Sequence, residues 1–263
     1  MAKFYHKYGF VVFRDVVSEG EVDLTIDEIW SETAAYWKEM TGKEILKNDP
    51  TTWNHIQGFP KNFGFVNDDI LRKEQFWKNR KSEHVYNCFK ATYEAQTGKP
   101  LAEPLLACID RGSMMRPTKD NPEWKTHDLY HFDIDPWSWT GVKEHAYSKY
   151  NYDPEQAYLL MGEGNYEKNI GYTKLAGVLA LSDTNEKSGG FSCAFGFQNY
   201  IKAWCELNPS YTHIEEDQNL VANFQKILLR KGSLLVFSRE LPHNIYPNES
   251  DKFRYAQYLR MTP

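Results

Sequence analysis

Residues 231–261 read KGSLLVFSRELPHNIYPNESDKFRYAQYLRM, and their alternation of strand and turn decides how the rest of the chain is understood. Gly232 precedes an apolar run, Ser233 to Phe237, of the length and composition of a buried strand. The polar turn SRELP then delivers His243 just beyond that strand, and a second turn, YPNES, leads into another strand over 253–261. Along it Arg254, Ala256 and Tyr258 share one face, because strand side chains alternate. An inward Arg is costly unless it meets an anion. A His at a strand rim and an Arg on the next strand are therefore expected to be able to converge on one cavity.

A second stretch, YHFDIDPWSW at 130–139, supplies matching chemistry. If Leu129 to Ile134 is a strand, His131 and Asp133 project together while Phe132 and Ile134 face the other side. An imidazole and a carboxylate so placed make two corners of the two-His, one-carboxylate set that suits non-haem Fe(II) and leaves coordination positions open. The third corner must come from elsewhere in the chain. Asp135 shares the same face, and a shift of two residues would bring it in without a histidine to accompany it.

Working outward, the N-terminal part reads as helical. A short helix over 3–9 ends near Gly9, and Phe10 to Phe13 reads as a buried strand. Ser18 followed by Glu21 makes a capping box for a helix reaching about Met40. Residues 50–68 read as loop, and 69–97 return to helical patterning that Thr97-Gly98-Lys99-Pro100 stops. The basic run LRKEQFWKNRKSEH at 71–84 reads as a solvated helix face. Short apolar runs follow at 105–109, 129–134, 172–181, 190–197, 233–237 and 253–261, with helical interruptions at about 197–207 and 215–230. Helices first and many short strands later predict a mainly β fold with a helical layer, and 263 residues without a linker or repeat fit one domain, 1–263.

Composition bounds the function. A net charge of -5 leaves no electrostatic footprint for nucleic acid or an anionic membrane. The 4 cysteines form no CxxC pair, and no window is long and apolar enough for a membrane span or a signal peptide, so a cytoplasmic protein with reduced thiols is expected. A monomer or weak homodimer acting on a small molecule is the expected state.

Four blocks taken together resemble the phytanoyl-CoA dioxygenase-like family of Fe(II)- and 2-oxoglutarate-dependent oxygenases: FYHKYGFVVFRDVVSEGEV, YHFDIDPW, KLAGVLALSDTNEKSGGFSCAFGF and GSLLVFSRELPHNIYPNESDKFRYAQYLRM. They run in family order and frame most of the chain, with 25–120 and 138–171 only loosely covered. The resemblance implies a double-stranded β-helix (jelly roll, cupin-like) core flanked by N-terminal helices. It implies His131, Asp133 and His243 as ligands of catalytic Fe(II), with 2-oxoglutarate and O2 as cosubstrates. It also implies Arg254, eleven positions past His243, as the anchor of the distal carboxylate of 2-oxoglutarate, a role for which a planar guanidinium is suited. Trp137 stands where relatives often carry an aromatic wall of the site.

Departures from the pattern are specific. Phe195-Gly196-Phe197-Gln198 replaces the usual Pro-Gly-Ser-His, Ile245 stands where a small hydroxyl residue is sometimes found, and Tyr255-Ala256 after the Arg excludes an Arg-x-Ser pairing. What the resemblance implies about activity is oxidation of an unactivated C–H bond, by hydroxylation or by desaturation or ring closure, with release of succinate and CO2. Asp133 disfavours halogenation, because related halogenases carry a small residue there. Arg116, Lys119 and Lys125 precede the His-x-Asp segment and are candidates for the pocket mouth, and the long connection 141–172 is a candidate lid. A small amino-acid-like or carboxylate metabolite is the expected substrate. The competing expectation is a non-catalytic jelly-roll protein that has kept its metal site.

Overall fold

The computed structural model describes residues 1–56, 63–142 and 175–262. The chain opens with α1 (Ala2–Tyr8), which ends on a left-handed Gly9, and continues into β1 (Phe10–Phe13). α2 (Glu19–Thr41) starts on the expected capping box: Ser18 Oγ accepts from Glu21 N–H, and Glu21 accepts from Ser18 N–H at 2.7 Å. Its buried residues Val22, Thr25, Ile29, Trp30, Thr33 and Trp37 fall at helical spacing along one stripe.

The run 69–97 is two helices, α3 (Glu74–Lys81) and α4 (Glu83–Thr97), after a 3-10 turn over Asp68–Arg72. Ser82 takes extended backbone angles and breaks the helix between them. The basic face is correspondingly not all solvated. Arg80 is 1% exposed and donates to the carbonyls of Leu71 at 3.0 Å and Asp110 at 2.7 Å.

Two antiparallel sheets follow. The larger runs β1–β7–β4–β9, with β7 at Leu234–Ser238, β4 at Leu175–Ala180 and β9 at Arg254–Thr262. The far edge of β9 is shared by β3 (Gly112–Met115), opposite Arg254 to Gln257, and β2 (Leu106–Cys108), opposite Arg260 to Thr262. The smaller sheet runs β6–β5–β8, with β6 at Gln225–Ile227, β5 at Ser188–Cys193 and β8 at His243–Asn248. This two-sheet arrangement bears out the jelly-roll reading and places the helices on one side of the larger sheet.

Strand alternation sorts the core into layers. Leu175, Leu179, Leu234, Val236, Tyr255 and Leu259 face outward and pack with α2, α3 and α4. Ala176, Val178, Leu235, Phe237 and Ala256 face inward and pack with Phe191 and Cys193 of the smaller sheet. Gly177 makes the outer contact close, since a Cβ there would meet Phe89 of α4 at 2.9 Å. Gly232 turns the chain into β7 with φ of 80°, and a Cβ would meet the Val17 carbonyl at 2.7 Å.

Three expectations need correction. Leu129 to Ile134 is not a strand: one bridge, His131 to His243, is followed by a bend. Asp135 and Pro136 turn the chain there into α5 (Pro136–Trp139), with the Asp135 carboxylate accepting from Trp137 N–H at 3.2 Å and Pro136 in the first helical position. The stretch YPNES is not a turn throughout, because Tyr246, Pro247 and Asn248 finish β8. Pro247 is accommodated since β8 is an edge of its sheet. Helix in 215–230 is confined to a 3-10 turn over Ile214–Glu216 and α7 (Gln218–Ala222), which come after α6 (Ile201–Leu207) and give way to β6. The candidate lid at 141–172 lies, apart from its first two residues, outside the described residues. No helix among the described residues is long and apolar enough to cross a membrane.

Candidate metal centre

The segment carrying His131 is fastened to β8 by backbone bonds before any side chain acts. His131 N–H donates to the His243 carbonyl and His243 N–H to the His131 carbonyl, both at 2.9 Å. Next to this pair, buried Asn244 accepts from Leu129 N–H at 2.6 Å and donates to Asp128 at 2.8 Å. Two segments more than a hundred residues apart are thus held in register, which brings the two imidazole centroids to 4.1 Å.

Each imidazole is oriented by a carbonyl two residues upstream. Nδ1 of His131 lies 2.9 Å from the Leu129 carbonyl, and Nδ1 of His243 lies 3.0 Å from the Leu241 carbonyl. A carbonyl only accepts, so both Nδ1 atoms carry the proton and both Nε2 atoms present a lone pair. Those atoms point at the same carboxylate oxygen: Asp133 Oδ1 is 3.7 Å from His131 Nε2 and 3.8 Å from His243 Nε2. Phe191, stacked at 5.2 Å, and Phe237, edge-on at 4.8 Å, brace the His243 ring.

Arg239, 4% exposed, grips Asp133 from the other side. One guanidinium nitrogen donates to the Asp133 carbonyl, and Nε stands 3.8 Å from Oδ2. Burial works to raise the Asp133 pKa, but the charges of His243, His131, Arg239 and Arg260 outweigh it and hold the carboxyl below the usual carboxylate range. Burial, with the His131 charge adding to it, pushes His243 down to about 4. At neutral pH the trio therefore presents a neutral imidazole at His243 and an ionised carboxylate, the forms that bind metal. Among the described residues, His131, Asp133 and His243 are a group whose ligand atoms all lie within 4.8 Å of one another.

The trio opens onto a cavity of ≈ 310 Å³ between the sheets. Ala176, Val178, Phe191, Phe237 and Ile245 give it an apolar wall. Phe65, Asp110, Arg111 and Tyr258 line it as well. Asp110 and Arg111 lie in the turn between β2 and β3, and nothing in their local sequence distinguishes them; their place is set by Arg80 on α3.

Arg254 begins β9 on the same inward face as Ala256 and Tyr258 and is 2% exposed. Its Nη1 donates to Ser113 Oγ at 3.1 Å, and its Nε has no partner among the described residues. A hydroxyl thus reaches Arg254 from β3, where the chain lacks an Arg-x-Ser pairing. A buried guanidinium left with a free donor is the feature an anionic cosubstrate would satisfy. The replacement at Phe195–Gln198 has a structural use: Gln198 and neighbouring Asn199 both donate to the His6 carbonyl at 3.0 Å, tying down α1.

Arg254 is not among the residues that line the described cavity, and neither are the four other candidates. Trp137 is buried, donates to the Asn208 carbonyl at 2.9 Å and packs on Trp204 in a cluster beneath the bend. Arg116 is 3% exposed, donates to the Trp53 carbonyl at 3.0 Å and lies over the Trp124 ring, where burial lowers its pKa to about 10. Lys119 is exposed with its N–H bonded to the Ser250 carbonyl, and Lys125 pairs with Glu249. The reading missed Arg239 and Asn244, although both flank His243 within four positions.

Comparison with known proteins agrees with this construction. No family model matches the chain. A Dictyostelium discoideum protein named "Putative phytanoyl-CoA dioxygenase" is 29% identical over 274 aligned positions, covering 99% of this chain and 74% of the relative. Among solved structures, EctD from S. alaskensis with bound Fe aligns with a TM-score of 0.58 at 13% identity over 99% of this chain and 74% of that one. HygX from Streptomyces hygroscopicus, with nickel and 2-oxoglutarate bound, aligns with a TM-score of 0.53 at 14% identity over 99% and 85%. The chain shares its fold with these two proteins, one solved with iron and the other with nickel and 2-oxoglutarate.

Proposed function

Taking this chain as a phytanoyl-CoA dioxygenase-like protein, we propose that it is an Fe(II)- and 2-oxoglutarate-dependent oxygenase acting on a small amino-acid-like or carboxylate metabolite. The observation that carries the reading is the convergence of two imidazole Nε2 atoms on one carboxylate in the wall of a cavity between the sheets. His131, Asp133 and His243 would hold the metal, and two imidazole nitrogens with one carboxylate are the donor set that suits Fe(II) oxygen chemistry. Fe(II) held there would supply the O2 chemistry that couples conversion of 2-oxoglutarate to succinate and CO2 with oxidation of an unactivated C–H bond.

The chain's own residues supply orientation and exclusion of water. Leu129 and Leu241 carbonyls set the tautomers, Arg239 fixes the carboxylate, and Phe191, Phe237 and Val178 keep the reacting face dry. Arg254 holds the distal carboxylate of 2-oxoglutarate, with Ser113 beside it. Hydroxylation, desaturation and ring closure share this machinery and differ in where the substrate carbon is held. The net charge of -5 gives no electrostatic support to a nucleic-acid or anionic-membrane partner, and the core shared by α2 and β9 supports one domain over 1–263.

The test is iron-dependent release of succinate from 2-oxoglutarate, together with metal content. Asp133→Ala is expected to abolish both iron retention and succinate formation. Succinate release at the wild-type rate in Asp133→Ala would refute the assignment.

A further inference from the structure

Asp110 and Arg111 give the cavity an acid and a base that neither the metal nor 2-oxoglutarate uses; burial raises the Asp110 pKa, and the Arg111 N–H and the Arg260 charge only partly offset it. The cosubstrate is a dianion, and on the reading above it is matched by the metal and by Arg254. Asp110 lines the same cavity from the turn between β2 and β3. Its Oδ1 accepts the N–H of Arg111 at 2.7 Å, its backbone carbonyl is held by buried Arg80, and its other carboxylate oxygen accepts no hydrogen bond from the described residues. The Arg111 guanidinium lies over the Phe65 ring at 5.4 Å, on the exposed side of the same wall. Beside them Tyr258 Oη is buried and has no partner among the described residues, while Tyr258 N–H donates to the Arg111 carbonyl at 2.8 Å.

A carboxylate in a largely apolar wall is stabilised most by a cation that hydrogen-bonds to it. We infer that Asp110 is a specificity-determining residue that binds a cationic nitrogen of the substrate, with Arg111 at the rim taking an acidic group of the same molecule. The substrate class is a small zwitterionic amine, not a purely anionic acyl compound, which would leave Asp110 facing its own sign of charge. Arg80 has a part in this recognition: by gripping the Asp110 carbonyl from α3, it fixes the turn that presents both charges.

This inference rests on the oxygenase reading, so the experiment separates the two. The probes are an equimolar pool of the standard amino acids, the same pool N-acetylated, and a pool of straight-chain fatty acids. Each is added to iron-loaded protein with 2-oxoglutarate, and stimulation of succinate release over the unstimulated rate is measured in wild type and Asp110→Asn. The visible band of the iron–2-oxoglutarate chelate, formed anaerobically, serves as the folding control, because Asn keeps an acceptor for Arg111 N–H. Expected is stimulation by the free amino acids at least about tenfold above that by the N-acetylated pool, a preference lost in Asp110→Asn. Equal or greater stimulation by the N-acetylated or fatty-acid pool overturns the inference, as does no stimulation by the free amino acids or an undiminished preference in Asp110→Asn. If the band itself fails to form in wild type, the oxygenase reading fails and the inference falls with it.

Discussion

β9 carries polar side chains on both of its faces, and the two sets differ in how completely they are bonded. On the outer face, under the helices, Gln257 is 0% exposed and its amide is used at both ends, accepting from Asn79 at 2.8 Å and donating to the Phe76 carbonyl at 2.9 Å. Asn79 also donates to Thr25 at 2.9 Å, and Tyr255 accepts from the Trp30 indole at 2.8 Å. On the inner face Arg254 Nε and Tyr258 Oη stay without partners among the described residues. Polar groups that are satisfied within the chain hold elements in register, whereas buried donors kept unsatisfied cost stability and are retained where a ligand completes them.

The first way to test this contrast is by pH, on the metal-free protein. His243 takes up a proton near pH 4 when folded and near 6.5 when unfolded. Between those values the unfolded chain binds more protons, so stability falls as the pH drops from about 6.5 to 4, by about 3 kcal/mol from this group. The lowered Asp133 acts in the same direction at still lower pH. Thermal unfolding followed at pH 6.5 and 4.5 checks it, and His243→Leu is expected to flatten the slope.

A smaller effect separates the two faces of β9 directly. Gln257→Leu strands Asn79 and is expected to cost about 2 kcal/mol of stability by denaturant unfolding, without changing iron or 2-oxoglutarate affinity. Arg254→Met, replacing a buried charge by an apolar chain of similar length, is expected to leave the stability of the ligand-free protein equal or slightly higher. A loss in Arg254→Met as large as that in Gln257→Leu would mean that both faces serve the frame.

Much of the frame was legible because it rests on local rules. The Ser18–Glu21 box, the stripe on α2 and the runs that became β4, β7 and β9 are patterns within a few residues. The trio was legible for a different reason, a family resemblance whose pattern includes the His-x-Asp spacing at 131–133 and the offset between His243 and Arg254. The strand argument for His131 and Asp133 was a poorer guide than the result: a bend and the Asp135 cap, not alternation, set their directions. β3 escaped notice because Gly112-Ser113-Met114-Met115 has little intrinsic strand preference and is held by pairing with β9. Asp110 escaped because its position depends on Arg80, thirty residues away, in a run that read as solvated.

The most direct test of the central claim is anaerobic titration of the metal-free protein with Fe(II) and then 2-oxoglutarate, following the visible charge-transfer band of the chelate. The account predicts a band in wild type, and for Arg254→Ala a band that requires roughly a hundredfold more 2-oxoglutarate while iron affinity is kept, since a charge-assisted bidentate contact has been lost. Iron binding with no band at any 2-oxoglutarate concentration, or an unchanged titration in Arg254→Ala, would contradict it.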